Sequence, residues 1–170
     1  MGSIRFIFFQ SFRHLFYNRI FFFIIPVLFL FLTSCQPGVV YDDTKSFTDN
    51  VWNSGKIIRF DVDLRDTVSI HKFYLSLRHE TSYRYANLFL FIHTTYPDGK
   101  EARDTVECIL ADPSGKWLGK GITNIRDYQV LLRRGLRFPQ MGTYIFEIEQ
   151  AMREPELTGV MDIGLRIVKE

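Results

Sequence analysis

Polar and apolar residues alternate along much of the chain after residue 57, in runs separated by turn-forming residues. A period of two is typical of a β-strand with one buried and one solvated face. The two clearest runs predict strands whose buried faces carry Ile58, Phe60, Val62 and Leu64 in the first, and Phe73, Leu75 and Leu77 in the second.

The run from Asn87 to Thr95 is apolar on both faces at its middle, which predicts a central strand. The turn sequence from Tyr96 to Lys100 follows, with Pro97 presetting φ and Gly99 accepting a positive φ. We therefore expect the run from Glu101 to Leu110 to return beside the preceding strand as a hairpin.

The segment 127–134 supports two interpretations. We interpret it as a strand, but Ile125, Tyr128 and Leu132 would also lie on one face of a helix. The choice between strand and helix for residues 124–134 stays open at this point.

The last two runs are clearer. The first places Tyr144 and two further residues inward after a turn, and Gly142-Thr143-Tyr144 resembles the tyrosine corner of Greek-key sandwiches. The second covers 161–167. About seven or eight strands without a long helix or a repeat predict an all-β fold, a single antiparallel β-sandwich of Greek-key or jelly-roll type.

The first 34 residues have the pattern of an export signal. Three arginines precede an apolar run from Ile20 to Leu32, and no acidic residue precedes Asp42. The run is shorter than the roughly 20 residues that span a bilayer, so a retained transmembrane anchor is the weaker interpretation.

The run ends in Leu32-Thr33-Ser34-Cys35, which resembles the lipobox of bacterial lipoproteins. The resemblance implies that the leader is removed before Cys35 and that this residue carries fatty acyl chains such as palmitate. Each buried methylene contributes about 0.8 kcal/mol, so two or three chains hold a protein on a membrane. Cys35 is therefore the predicted lipidation site.

These features divide the chain into a signal peptide (1–34), a lipidated tether (35–50) and a β-sandwich (51–170). The tether carries Pro37, Gly38 and a polar run, but its aromatic residues indicate that it lies along the domain. We expect the bacterial outer membrane, and the absence of acidic residues directly after Cys35 favours its periplasmic side.

Removing the leader changes what the composition indicates. Three of the 21 basic residues lie in it, which leaves 18 basic against 19 acidic residues, so no nucleic-acid partner is indicated. With Cys35 lipidated, Cys108 has no disulfide partner. It shares a strand face with Val106 and Leu110, which predicts an inert buried thiol.

The segment from Ala111 to Gly121 has the composition most suggestive of a function. It lacks the spacing and the following helix of a phosphate-binding loop, so we reject nucleotide binding. It is either a plain connection or a partner-contact surface made by Trp117, Lys116 and Lys120, since tryptophan is enriched at interaction hot spots.

Other candidates for chemistry have simpler explanations. His71 and His79 are about 26 Å apart on one strand, too far for a shared metal ion. Glu147 and Glu149 have a spacing that a glycosidase could use, but alternating carboxylates more often form a solvated face. No Ser-His-Asp arrangement is recognisable, so we predict no catalytic residue, no metal and no cofactor.

Tyr83 and Tyr85 could stack on sugar rings together with Trp117 if their loops meet, although such rings more often seal the end of a sandwich. A surface glycan-binding module is therefore the alternative function. The basic cluster Arg133, Arg134 and Arg137 is most simply solvated.

Five segments carry a family resemblance: Tyr41 to Trp52, Asn87 to Phe91, Tyr96 to Lys100, Leu110 to Gly121 and Phe138 to Arg153. Together they are similar to the GldH family of gliding-motility lipoproteins of Bacteroidetes. The resemblance covers nearly all of the chain after Cys35. The resemblance implies a small envelope lipoprotein that acts with the gliding machinery and the associated type IX secretion system. It implies no catalytic motif, and only Cys35 transfers as a functional position. We therefore expect a non-enzymatic accessory or scaffold protein with other envelope proteins as partners.

Overall fold

The structure is a computed structural model and describes residues 38–170. The predicted leader and lipobox, including Cys35, lie outside these residues, so the predictions made for them stay predictions. In the described part no helix is long and apolar enough to cross a membrane.

The described chain forms ten β-strands and one short 3-10 helix (Thr48–Asn50). The strands are β1 (Val39–Ser46), β2 (Val51–Asn53), β3 (Ile58–Leu64), β4 (His71–Glu80), β5 (Asn87–Thr95), β6 (Glu101–Ile109), β7 (Ile125–Leu136), β8 (Gly142–Gln150), β9 (Glu156–Thr158) and β10 (Val160–Lys169).

The eight long strands form two antiparallel sheets. Sheet 1 has the order β1-β10-β4-β7 and sheet 2 the order β3-β8-β5-β6, while β2 and β9 pair separately. Counted among the long strands, these orders are 1-8-3-6 and 2-7-4-5. This is the order of a jelly roll, so the predicted all-β sandwich is confirmed.

The strand predictions are confirmed in their main features. β5 lies inside sheet 2 between β8 and β6, and it forms the expected hairpin with β6. Residues 125–136 are a strand that pairs with β4, which settles the ambiguity between strand and helix. Helical spacing was misleading there because β7 is an edge strand whose inward face is only partly covered.

The tyrosine corner is also present. The Tyr144 hydroxyl donates to the carbonyl of Gln140 at 3.0 Å and accepts from the Gln140 amide at 3.2 Å. Tyr144 is 1% exposed, and burial raises the pKa of its hydroxyl. This contact fixes the turn that leads from β7 into β8.

The segment predicted as a tether is more integrated than expected. Residues 39–46 form β1, which pairs with β10 along its length, and the Lys169 amide donates to the carbonyl of Gly38 at 2.7 Å. The side chains of β1 are mostly solvated, which is why its polar sequence resembled a linker. The chain is thus held in the sandwich from residue 38 onward.

The core lies between the two sheets. Sheet 1 contributes Leu75, Leu77, Ile163 and Leu165, and sheet 2 contributes Phe60, Leu90, Phe146 and Ile148, all at most 5% exposed. Burial of apolar surface contributes roughly 25 cal/mol per Å², so this layer supplies most of the stability.

The sandwich has two distinct ends. The anchor end carries Gly38 and the loops 65–70, 96–100 and 137–141, whereas the loop end carries the loops 81–86, 110–124 and 151–155. β4 has ten residues, which places the two ends about 30 Å apart.

Candidate functional site

The predicted contact residues meet at the loop end through a residue that sequence reasoning did not connect to them. The ring of His79, at the end of β4, lies 4.6 Å from the Trp117 ring and 5.8 Å from the Tyr83 ring. Tyr83 in turn lies 5.7 Å from Tyr85. The four rings therefore form one row, in the order Tyr85, Tyr83, His79 and Trp117.

This row belongs largely to the interior. Tyr83 is 4% exposed, and its hydroxyl donates to the carbonyl of Asn87 at 3.0 Å. The Tyr85 hydroxyl donates to Glu154 at 2.5 Å, a hydrogen bond that raises the pKa of Tyr85. The rings mainly close one end of the sandwich, so they offer little free surface for stacking on a sugar.

His79 is the buried centre of the row. Its side chain is fully buried, and its Nδ1 lies 2.9 Å from the carbonyl oxygen of Glu80, while its Nε2 has no hydrogen-bond partner among the described residues. Burial lowers the pKa of His79, which favours the neutral ring. A neutral histidine between aromatic rings acts here as a packing residue.

The loop from Ala111 to Gly121 is held by its own backbone contacts. The Asp112 carboxylate accepts hydrogen bonds from the hydroxyl of Ser114 at 2.6 Å and from the Lys116 amide at 3.0 Å. The Ser114 contact is the main cause of a lowered pKa for Asp112. Ala111 pairs with Trp117, so the loop folds back as a small rigid hairpin.

The far side of the loop is equally constrained. Lys120 and Asp127 exchange backbone hydrogen bonds at 2.7 and 2.9 Å. A Cβ at Gly121 would collide with the Ile125 carbonyl oxygen, so glycine is required there. The loop therefore has a defined conformation and is more than a flexible connection.

The exposed part of this surface is apolar and cationic. The ring of Trp117 is half-buried, but Leu118 is 43% and Ile122 is 86% exposed. Lys116 and Lys120 are exposed, and neither forms a salt bridge with a described residue. Sequence reasoning named Trp117 and the lysines but missed Leu118 and Ile122, which lacked any distinguishing motif.

The candidates for chemistry fall elsewhere. Cys108 is fully buried, as the sequence predicted, and burial raises the pKa of its thiol to about 12. Glu147 and Glu149 lie on the outer face of sheet 2, where Glu147 is 3.8 Å from Arg59 and Glu149 is 3.8 Å from His93. Neither carboxylate lines a described cleft, so the arrangement is that of a solvated face.

Metal ligation finds no support among residues 38–170, where no three or more metal-ligating side chains come together. His71 and His79 occupy the first and ninth positions of β4, at opposite ends of the sandwich. His71 is fully buried and packs on Phe138, with a ring separation of 5.3 Å.

Clefts in the described part include one on a sheet face and one at a sheet edge. One, of about 520 Å³, lies over the outer face of sheet 1, where Arg78 bridges Asp127 at 2.6 Å and Asp162 at 3.1 Å. The other, of about 560 Å³, is lined by the edge strands β6 and β7 and has a largely apolar wall that includes Val106 and Leu132. Neither lining contains a histidine or a cysteine.

The fold and its loops define a class of protein: a jelly-roll domain whose best-built candidate site is a surface and not a pocket. Comparison with known sequences gives the family. The sequence model described as GldH lipoprotein matches residues 39–167.

Two curated relatives agree. A gliding motility lipoprotein GldH homolog of Christiangramia forsetii is 31% identical over 154 residues, which cover 86% of this chain and 94% of the relative. The gliding motility lipoprotein GldH of Flavobacterium johnsoniae is 30% identical over 145 residues, which cover 81% and 89%. The chain belongs to the GldH lipoprotein family and is thus a membrane-anchored lipoprotein of the cell envelope.

Proposed function

We propose that this protein is a non-enzymatic scaffold of the gliding-motility machinery and its associated type IX secretion system, anchored by lipid on Cys35 to the periplasmic side of the outer membrane. In this proposal the loop end binds another envelope protein. Its support begins with family membership and with the absence of a recognisable catalytic group among residues 38–170.

The observation that carries the proposal is the placement of the two ends. The chain enters the sandwich at Gly38, three residues after Cys35, so the anchor end is the end tied to the membrane. The loop end lies about 30 Å away, at the other end of the strands. A partner could therefore reach it without being blocked by the bilayer.

The composition of the loop end also fits a protein partner. Leu118 and Ile122 would bury apolar area, while Lys116 and Lys120 would pair with carboxylates of the partner. Because Asp112 and the pairing of Ala111 with Trp117 already order the loop, binding costs little conformational entropy. Confinement to a membrane raises the effective concentration of both partners.

Two substitutions on the exposed side of the loop test the proposal. Ile122→Asp combined with Lys120→Glu should abolish the spreading of a strain that depends on this protein, while the cellular level of the protein stays unchanged. Leu131→Asp is the matched control, because Leu131 is 38% exposed on the outer face of sheet 1, away from both ends. Normal spreading of the strain that carries the loop variant would contradict the proposed contact with a partner.

Trp117→Ala is less informative as a test. Its ring packs on His79 and against the core, so truncation would disturb the fold as well as the surface. The glycan-binding alternative has less support, because it needs the ring faces that Tyr83 turns into the interior. It stays a prediction that binding to immobilised glycans can test.

A further inference from the structure

Exposed apolar side chains are concentrated at the two ends of the sandwich. Eight large hydrophobic residues of the described part are exposed: Val68, Ile70 and Met141 at the anchor end, Ile57, Ile109, Leu118 and Ile122 at the loop end, and Leu131 between the ends. Single exposed apolar residues are ordinary, but a cluster at one end calls for an explanation.

The anchor end presents its apolar residues on defined turns. The Asp66 carboxylate accepts hydrogen bonds from the Val68 and Ser69 amides, each at 2.9 Å, and binds Lys169 at 2.6 Å. Val68, at the tip of this turn, is 77% exposed. The loop is thus fixed with an apolar side chain held out into the surroundings.

The neighbouring loop has the same character. Its backbone is fixed at Gln140 by the hydroxyl of Tyr144, and Met141, the next residue, is 66% exposed. Leu64 pairs with Gly142, so the loop that carries Val68 begins beside the point where the loop that carries Met141 ends. Both loops therefore present an exposed apolar side chain at the anchor end.

Charge at the anchor end is largely neutralised, with one exception. Four pairs lie within 3.2 Å: Arg65 with Asp63, Lys72 with Glu170, Lys100 with Asp98, and Lys169 with Asp66. Arg133, Arg134 and Arg137 are exposed and form no salt bridge with a described residue. No acidic residue occurs from 128 to 146, so this segment carries a net positive charge, although Asp104 of β6 lines the same cleft as Arg133 and Arg137.

The length of chain between the anchor and the fold identifies the occupant of this surface. Three residues span at most about 10 Å, so a bilayer that holds Cys35 lies within reach of the end where Gly38 is bound. Membrane interfaces take up apolar side chains, and anionic head groups attract nearby arginines.

We propose that the anchor end is a membrane-contact face, on which Val68 and Met141 enter the bilayer interface and Arg134 and Arg137 bind anionic lipid head groups. This proposal rests on the lipid anchor at Cys35, which belongs to the proposed function. The contact fixes the orientation of the sandwich, with the loop end directed away from the bilayer.

The test uses the full lipidated protein, purified from membranes and reconstituted in vesicles of phosphatidylethanolamine with phosphatidylglycerol. A nitroxide is placed at residue 68, 141 or 122 through a cysteine substitution. Cys108 is fully buried, so it should not compete for the label. Ile122 is the matched control, because it is the most exposed apolar residue of the loop end.

We expect the ratio of oxygen to nickel-chelate accessibility to be several-fold higher at residues 68 and 141 than at residue 122. Arg134→Gln with Arg137→Gln should lower that ratio at residue 68 toward the control value, as should replacing phosphatidylglycerol with phosphatidylcholine. If the accessibility ratio at residues 68 and 141 equals that at residue 122, the proposed membrane contact is wrong. Insensitivity to both the arginine change and the lipid change overturns the electrostatic part.

Flotation of the vesicles distinguishes a failure of the membrane-contact face from a failure of the lipid anchor. Protein that fails to float with the vesicles lacks the anchor, which overturns both ideas. Protein that floats while its labels stay in water keeps the anchor and loses only the contact face. Neither result depends on the partner at the loop end.

Discussion

The two ends of the sandwich are formed by the same strands, but they present different surfaces. At the anchor end, ion pairs neutralise most charges and short turns hold out Val68 and Met141. At the loop end, a longer hairpin packs on His79 and carries Leu118, Ile122 and two lysines that form no salt bridge with a described residue. One surface suits a lipid bilayer, and the other suits a protein with complementary shape and charge.

This difference gives the domain two ends with distinct surfaces. The jelly roll separates the two surfaces by the length of its strands, about 30 Å. Each end can then be changed without disturbing the other, because residues this far apart contribute to stability almost additively.

The largest effect is expected from removing the anchor. Cys35→Ser should release the protein from the membrane fraction almost completely, because each lost acyl methylene removes about 0.8 kcal/mol of membrane affinity. Fractionation followed by immunoblotting measures it. Retention of the serine variant on membranes would show that something other than lipid on Cys35 holds the protein there.

A strong effect on folding is expected from a substitution in the loop-end hairpin. Gly121→Ala should lower the free energy of unfolding by more than about 2 kcal/mol, because a Cβ collides with the Ile125 carbonyl. Gly99→Ala is the matched change at the anchor end, where φ is +81° and nothing lies within 4 Å, so it should cost about 1 kcal/mol. Urea unfolding compares the two variants, and equal losses would contradict the steric requirement for glycine at position 121.

Acid should destabilise the fold through His79, at the loop end, before it does so through Asp66, at the anchor end. Burial keeps the pKa of His79 below 6.5, so protons bind the unfolded state first and stability falls as the pH drops below 6.5, by at most about 1.4 kcal/mol per unit. Lys169 lowers the pKa of Asp66 from 3.8, so its contribution is lost only at lower pH.

Urea unfolding at pH 7.5 and pH 5.0 measures this effect, with His79→Phe as the comparison. We expect the wild-type protein to lose more stability between these two pH values than the variant does. The groups that face His79 include the Glu80 carbonyl, Arg126 and Asp127. An identical loss in both proteins would rule out His79 as the cause.

The smallest effect on folding is expected from the exposed side of the loop. Lys116→Glu with Lys120→Glu should change the free energy of unfolding by less than about 0.5 kcal/mol, since neither lysine forms a described salt bridge. Thermal unfolding measures it. A large loss would mean that the lysines support the loop itself and that their effect on motility is indirect.

Much of the fold could be predicted from periodicity because the long strands bury one face. Phe60 and Leu75 reveal their strands through alternation, and the glycine and tyrosine before β8 reveal the corner. β1 escaped prediction because it is a mostly polar edge strand, held by backbone pairing with β10 and not by buried side chains. Pairing of that kind leaves little trace in a sequence.

The site was predicted less completely for a related reason. Trp117 and Tyr83 could be named as aromatic residues on loops, but their connection through His79 depends on tertiary contacts between distant segments. The exposure of Leu118 and Ile122 depends on how the hairpin folds back at Ala111 and Lys120. Arg133, Arg134 and Arg137 form no salt bridge with a described residue. The sequence cannot reveal this, because it depends on which acidic residues pair with other basic residues in the fold.

The most direct test of the two-ended account is photo-crosslinking in living cells. A photoreactive amino acid is placed at Ile122, Leu131 or Val68 in the full chain, and the adducts are identified by mass spectrometry. We expect one defined protein adduct at residue 122, belonging to the motility or secretion machinery, with lipid adducts at residue 68 and neither at residue 131. The same protein captured equally at all three positions, or lipid adducts at residue 122, would contradict it.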